Sequence, residues 1–184
     1  MRLPSFVLAA VGAAAMFLGG CTSPPQPGPD RTQLKNDSDA ALNDFKSQDP
    51  TLDNWMHNSY AYAIFPSIGK GAVGVGGAYG QGEVFEQGNL VGYAEMNQAT
   101  VGASIGGQTY AELIVFRTPE ALHSFENGEY TLAADASAVA AKAGAAADAK
   151  WANDVAVFTD VKGGLMGELS VGGQKFDFHP LNQQ

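Results

Sequence analysis

The sequence predicts an α+β domain: a strongly curved, mostly antiparallel, glycine-rich sheet, partly barrel-like, with a few packed helices. Within residues 70–82, KGAVGVGGAYGQG, an alternating strand over 71–79 puts only Ala72, Gly74, Gly76 and Ala78 on one face. Small residues at that density mark the bulges, bends and close backbone approaches of a coiled sheet. Strand-like stretches also follow one another without the crossover helices that a parallel sheet requires. Gln87-Gly88-Asn89 and Gly172-Gly173 supply hairpin chemistry.

The elements follow in order. Ser38 to Lys46 has Ala41, Leu42 and Phe45 at helical spacing, with Asp37 or Ser38 placed to accept from the first free amides. Pro50 suits the first turn of a second short helix ending near His57, with Leu52, Trp55 and Met56 on its buried side. Tyr60 to Phe65 alternates large and small as a strand does, and Pro66 is expected to end it. Further strands are expected near 71–79, 83–87, 90–97, 100–106 and 109–116. Thr118 can cap a helix that opens with Pro119 and carries Leu122 and Phe125, and Gly128 stands where a left-handed residue is wanted. The alanine-rich stretch 131–150 lacks the face of a packed helix. A strand to about Ala136, then an irregular or short helical piece, is expected there. Val155–Thr159, Leu165–Val171 and Gln174–Phe178 read as the last strands.

The amino-terminal segment has its own logic. One charge, Arg2, precedes an apolar run from Phe6 to Leu18 and then Leu18-Gly19-Gly20-Cys21. The run is short for a membrane span and has the three-part layout of a secretory signal. The last four residues resemble the lipobox of bacterial lipoproteins. That resemblance implies cleavage before Cys21, diacylglycerol on its sulfur and acylation of the new amino group by a chain such as palmitate. Each buried methylene contributes about 0.8 kcal/mol, so several chains anchor almost permanently. Thr22 at the following position implies, by resemblance to Gram-negative sorting, the outer membrane. Residues 1–20 are thus expected to be a signal peptide, 21–36 the lipidated cysteine and a Pro-rich flexible tether, and 37–184 the folded domain. The one Cys leaves no partner for an internal disulfide.

Loss of residues 1–20 leaves nine Lys/Arg against nineteen Asp/Glu, a formal charge of −10. That balance opposes nucleic acid as a partner. Gly69 to Gly74 matches G-x-G-x-x-G, but more glycine follows where a dinucleotide site needs a helix. Gly102-Ala103-Ser104-Ile105-Gly106 matches G-x-S-x-G, and Ser104, Asp160 and His179 could be drawn as a triad. The GQTYAELIVF that follows suits a strand, whereas a nucleophile elbow needs a helix. His57, His123 and His179 form no ligand spacing, so no metal and no cofactor is expected.

The segment from Asn58 to Gly128, with AIFP, the glycine run and IGGQTYAELIVF followed by EALHSF, resembles the SYLF domain family, as does VFTDVKGGLMGELSVGGQKF. The resemblance makes 37–184 a SYLF-like domain and implies no catalytic activity. Eukaryotic relatives bind membrane phosphoinositides, and some act with actin. The family's frequent Lys-Gly pair before the first strand is replaced here by Tyr60-Ala61. A non-enzymatic lipoprotein that binds phospholipid or phosphoinositide-like lipid is therefore expected, with Lys70, Lys162 and Lys175 as candidate head-group contacts. The alternatives are an interaction module for an actin-like or outer-membrane protein partner and, on Ser104, a hydrolase.

Overall fold

The computed structural model describes residues 29–130, 139–140, 142–165 and 173–181. The element order is α1 (Pro29–Gln48), α2 (Leu52–His57), β1 (Ala61–Glu86), β2 (Asn89–Phe116), α3 (Pro119–Glu126), β3 (Val139–Ala140), a 3-10 turn (Ala145–Asp148), β4 (Val155–Leu165) and β5 (Gln174–Pro180). The expected α+β class with an antiparallel, glycine-rich sheet holds: β3 against β4 is the one parallel pairing among the described residues. The sheet bends over on itself without closing into a barrel, since its path β1-β2-β4-β3 does not return to β1.

The framework is one long hairpin. β1 and β2 pair from Ala61↔Phe116 to Glu86↔Asn89, around a two-residue turn at Gln87 (φ 49°) and Gly88 (φ 82°). Those positive φ values define the turn that matches strand twist. The several short strands expected over 60–116 are thus continuous. Pro66 does not end the first strand. It falls in an irregularity between Phe65 and Ile68, where its missing N–H costs no ladder bond and the extra residue lets both Phe65 and Ile68 face inward. A second irregularity sets residues 102–104 of β2 against Gly74 alone, at the crest of the bend.

Beyond that crest the hairpin doubles back. The Gln87 amide donates to the Tyr60 carbonyl at 3.0 Å, so its tip meets its base. A Cβ on Gly82 would lie 2.6 Å from the Ile64 carbonyl oxygen and 2.7 Å from the Phe65 ring, and one on Gly80 would lie 2.6 Å from Ile68. Two stretches of a single strand therefore stack at a distance that only glycine permits. Between the layers lies the first core: Phe65, Ile68, Met96, Ile114, Phe116, Phe125 and Phe176 among others. The Phe125 ring stands 5.0 Å from both Phe116 and Phe176. β4 and β5 occupy the free edge of β2 in succession, opposite Gly107–Phe116 and Gly92–Gln98.

The second core lies on the outer face under the helices, around Phe45, Leu52, Leu113, Val115 and Phe158. α1 begins at Pro29, earlier than the expected Ser38, so residues 29–36 are helix and not tether. Proline suits a first helical position, and Arg31, Leu34, Ser38, Ala41 and Phe45 continue one stripe towards the sheet. Asp37 and Ser38 consequently lie inside the helix rather than at its cap. Asp49 joins the helices to the chain beyond β3. It accepts from the amide and hydroxyl of Thr51 at 3.0 and 2.6 Å and from the Ala146 amide at 2.7 Å. Burial pushes its carboxyl up, but these hydrogen bonds outweigh that and hold it below its ordinary value.

α3 forms as expected: the Thr118 hydroxyl accepts from the Ala121 amide at 3.3 Å, Pro119 opens the helix and Gly128 follows at φ 68°. Thr118→Ala should cost about 1 kcal/mol, read as a lowered urea midpoint at unchanged slope. Of the stretch 131–150, residues 131–138 and 141 lie outside the described residues, and the expected short helical piece is the turn Ala145–Asp148. The strand expected at Leu165–Val171 lies outside them beyond Leu165.

Candidate functional site

The outer face of the bend carries an open depression of about 340 Å³ lined by Gly69, Lys70, Gly107, Gln108, Thr109 and Gly163. It spans three strands in register. Gly69 pairs with Thr109 and Thr109 with Gly163, while Lys70 pairs with Gln108 and Gly71 with Gly107. The glycines here differ in kind from those at the stacked layers. A Cβ on Gly69, Gly71 or Gly163 would meet nothing within 4 Å, and one on Gly107 only the Lys70 carbonyl at 3.7 Å. Core packing does not require their bareness. Each strand-interior glycine costs about 0.5–1 kcal/mol relative to alanine. Their effect is to leave a floor without side chains, open to a ligand.

Beneath that floor is a polar cluster. Lys70 is 8% exposed and Gln108 9%, both turned inward by strand alternation. On the same face of β2, Tyr110 and Glu112 are fully buried. Gln174, which pairs with Gln98, reaches across the interlayer space and donates from Nε2 to Glu112 at 2.9 Å and to the Tyr110 hydroxyl at 3.2 Å. The second Glu112 oxygen, Oε1, is buried without a hydrogen bond among the described residues, as are Oε1 of Gln108 and Gln174. Burial pushes the Glu112 carboxyl up to about 7, against the Gln174 hydrogen bond and the charge of Lys70, which both pull it down. Burial and then the Glu112 charge push the Tyr110 hydroxyl far up and that of Tyr130 up to about 12.

The three candidate lysines stand in different settings. Lys70 lines the depression from within, close enough for its charge to act on Glu112. Lys162, in the irregularity of β4 beside Thr109, is bound at 2.7 Å by both Asp44 and Asp160 and ties β4 to α1. Burial lowers its affinity for the proton, but the two carboxylates outweigh burial and hold it above its ordinary value. Lys175 is exposed on β5 opposite Asn97, at the other part of β2. The register thus brings Lys70 and Lys162 to one three-strand patch and leaves Lys175 apart. Cys21 lies outside the described residues.

The two motifs of nucleotide and ester chemistry lie in strands. Gly69 to Gly74 runs within β1, and no helix follows it. Ser104 lies in the β2 irregularity, whereas Asp160 pairs with Ala111 and His179 with Tyr93, so the register separates the three. Among the described residues no group of His, Cys, Asp or Glu is placed to hold a metal ion. No helix among them is long and apolar enough to cross a membrane. Sequence reasoning missed Glu112 and Gln174, whose meeting depends on the doubling of the hairpin. The one signal was a carboxylate standing within the apolar run AELIVF.

Residues 97–180 match the model of the Ysc84 family, described as Las17-binding protein actin regulator. The match covers most of β2 and everything through β5, and over those residues it bears out the resemblance to the SYLF domain, a family of binding domains. No curated protein matches the chain.

Proposed function

We propose that the chain is a non-enzymatic, lipid-anchored envelope protein whose SYLF-like domain binds the head group of a phospholipid or a phosphoinositide-like lipid. The anchor is the acylated Cys21, and the compartment is the outer membrane. One observation carries the reading: the glycines around Lys70 are bare without any packing need. A head group can therefore settle against the sheet itself, with its hydroxyls towards Thr109 and its phosphate over the bare floor, where the charge of the buried Lys70 acts on it from beneath. A lysine acts there as a point charge for phosphate. Lys162 is already held by two carboxylates, so it contributes by shaping β4 and exchanges an aspartate for phosphate only at a cost. Lys175 serves as an outlying contact for the membrane surface.

The test is sedimentation of the chain from residue 22 onward, which lacks the acylation site, with vesicles of neutral lipid alone or with added anionic phospholipid or phosphoinositide. Association with the anionic vesicles that weakens with salt supports the reading, and none with any vesicle at low salt ends it. A second reading rests on the description of the matched family: a tethered module for a protein partner, with Las17-like or actin-like chemistry. Capture of such a partner without lipid would favour it.

A further inference from the structure

We infer that the cleft between the end of α2 and the loop before β4 is a second binding site, and that its ligand is a neutral pyranose sugar. The cleft is about 140 Å³ and is lined by Asn54, Trp55, Asn58 and Trp151. It lies on the helix-covered face, on elements other than those that form the glycine-lined depression.

Both indoles are held in place before any ligand arrives. Trp55 donates from Nε1 to the Ala146 carbonyl at 2.8 Å and makes an edge-to-face contact with Phe158, ring centres 5.3 Å apart. Trp151 meets Trp55 at 4.5 Å with their planes 50° apart. The loop of Trp151 is closed by a two-residue turn, Asn153 (φ 51°) and Asp154 (φ 62°), with Ala152 and Val155 exchanging both backbone hydrogen bonds at 2.8 and 3.0 Å. Arg117 stands over the Trp151 ring at 5.8 Å and pairs with Asp154 at 3.8 Å, a further contact that holds the ring. Beside the indoles, Asn54 lies in α2 and Asn58, four residues on, is the residue that caps its carboxyl end. The Asn54 backbone carbonyl accepts from Asn58 Nδ2 at 2.7 Å and from the Asn58 amide at 3.1 Å, and the Asn58 carboxamide oxygen has no hydrogen bond among the described residues.

These parts select a chemistry. The four lining side chains carry no charge, in a chain of formal charge −9, so no ion is singled out. Carboxamides donate and accept at once, as a pair of sugar hydroxyls does, and indole faces cover the C–H side of the ring. An acyl chain would strip water from both carboxamides without replacing its hydrogen bonds. A flat base would need parallel rings to slide between, and these rings meet at a tilt.

Trp55 and Trp151 are the chain's two tryptophans, so intrinsic emission reads this cleft alone. The full-length protein is titrated with maltotriose, chitotriose and, as a contrast, adenosine. The expected result is a saturable emission change with one of the sugars at a dissociation constant of about 1 mM. Asn54→Ala should weaken it at least tenfold at an unchanged unfolding midpoint, because the Asn54 carboxamide supports nothing else among the described residues. No saturable change with either sugar, a change that survives Asn54→Ala, or an equal response to adenosine would overturn the assignment.

Discussion

Gly82→Ala should destabilise the protein by about 3 kcal/mol, at the upper end of what overpacking a tight core costs. The new methyl would stand 2.6 Å from the Ile64 carbonyl oxygen and within 3 Å of two Phe65 ring carbons. A ring can turn aside, but the carbonyl belongs to a strand paired along its length with β2 and cannot retreat without opening that ladder. The lost stability should lower the melting temperature by roughly 6–12 °C for a chain of this size. Gly71→Ala is the matched control: its Cβ would meet nothing within 4 Å. There the change should be within about 0.5 kcal/mol, or slightly stabilising because the unfolded chain loses freedom. Thermal unfolding by circular dichroism distinguishes the two. Equal effects at both positions would contradict the doubled hairpin.

Glu112→Gln should flatten the dependence of stability on pH and raise stability by about 3 kcal/mol at pH 8, with little effect at pH 4. In the unfolded chain the carboxyl ionises near 4.5, and in the folded chain only near 7. Between those values the folded state holds more protons, so unfolding free energy declines as pH rises. The contribution is fully present below about 4.5 and gone above about 7. Glutamine keeps an acceptor for Gln174 and removes the charge. Denaturant titrations of both proteins at pH 4, 6 and 8 isolate the difference, and parallel pH profiles would show that Glu112 is not buried as described. The same substitution bears on the proposed ligand. Glu112 is the charge that opposes Lys70, so protonation should strengthen capture of anionic head groups as pH falls through 7, and Glu112→Gln should hold it strong throughout.

The sheet's material was legible in residues 70–82, and its geometry only in part. Alternation and glycine density identify strands that must bend, but they do not say which glycine is compressed. Gly82 and Gly71 look alike in sequence, yet one touches a carbonyl and the other touches nothing. Pro66 was read as a terminator because its missing N–H is a local fact, whereas the irregularity that accommodates it is a property of the paired strand. Thr118, Pro119 and Gly128 were fully legible, because a cap is made by neighbours in sequence. The start of α1 was not, because Pro29 and Arg31 become helical through their place on the sheet, where Arg31 lies over Tyr93 at 4.7 Å. For the candidate site, Lys70 was legible from its glycine neighbours. Glu112 and Gln174, far apart in the chain, were not, and neither was the meeting of Trp55 with Trp151.

The most direct measurement pairs Gly69→Ala with Gly163→Ala in one chain and follows both its unfolding midpoint and its sedimentation with anionic vesicles. If the bare floor of the depression receives a head group, the midpoint stays within about 0.5 kcal/mol of the parent while vesicle association falls at least tenfold. Undiminished association at an unchanged midpoint would contradict a ligand seated on the glycines.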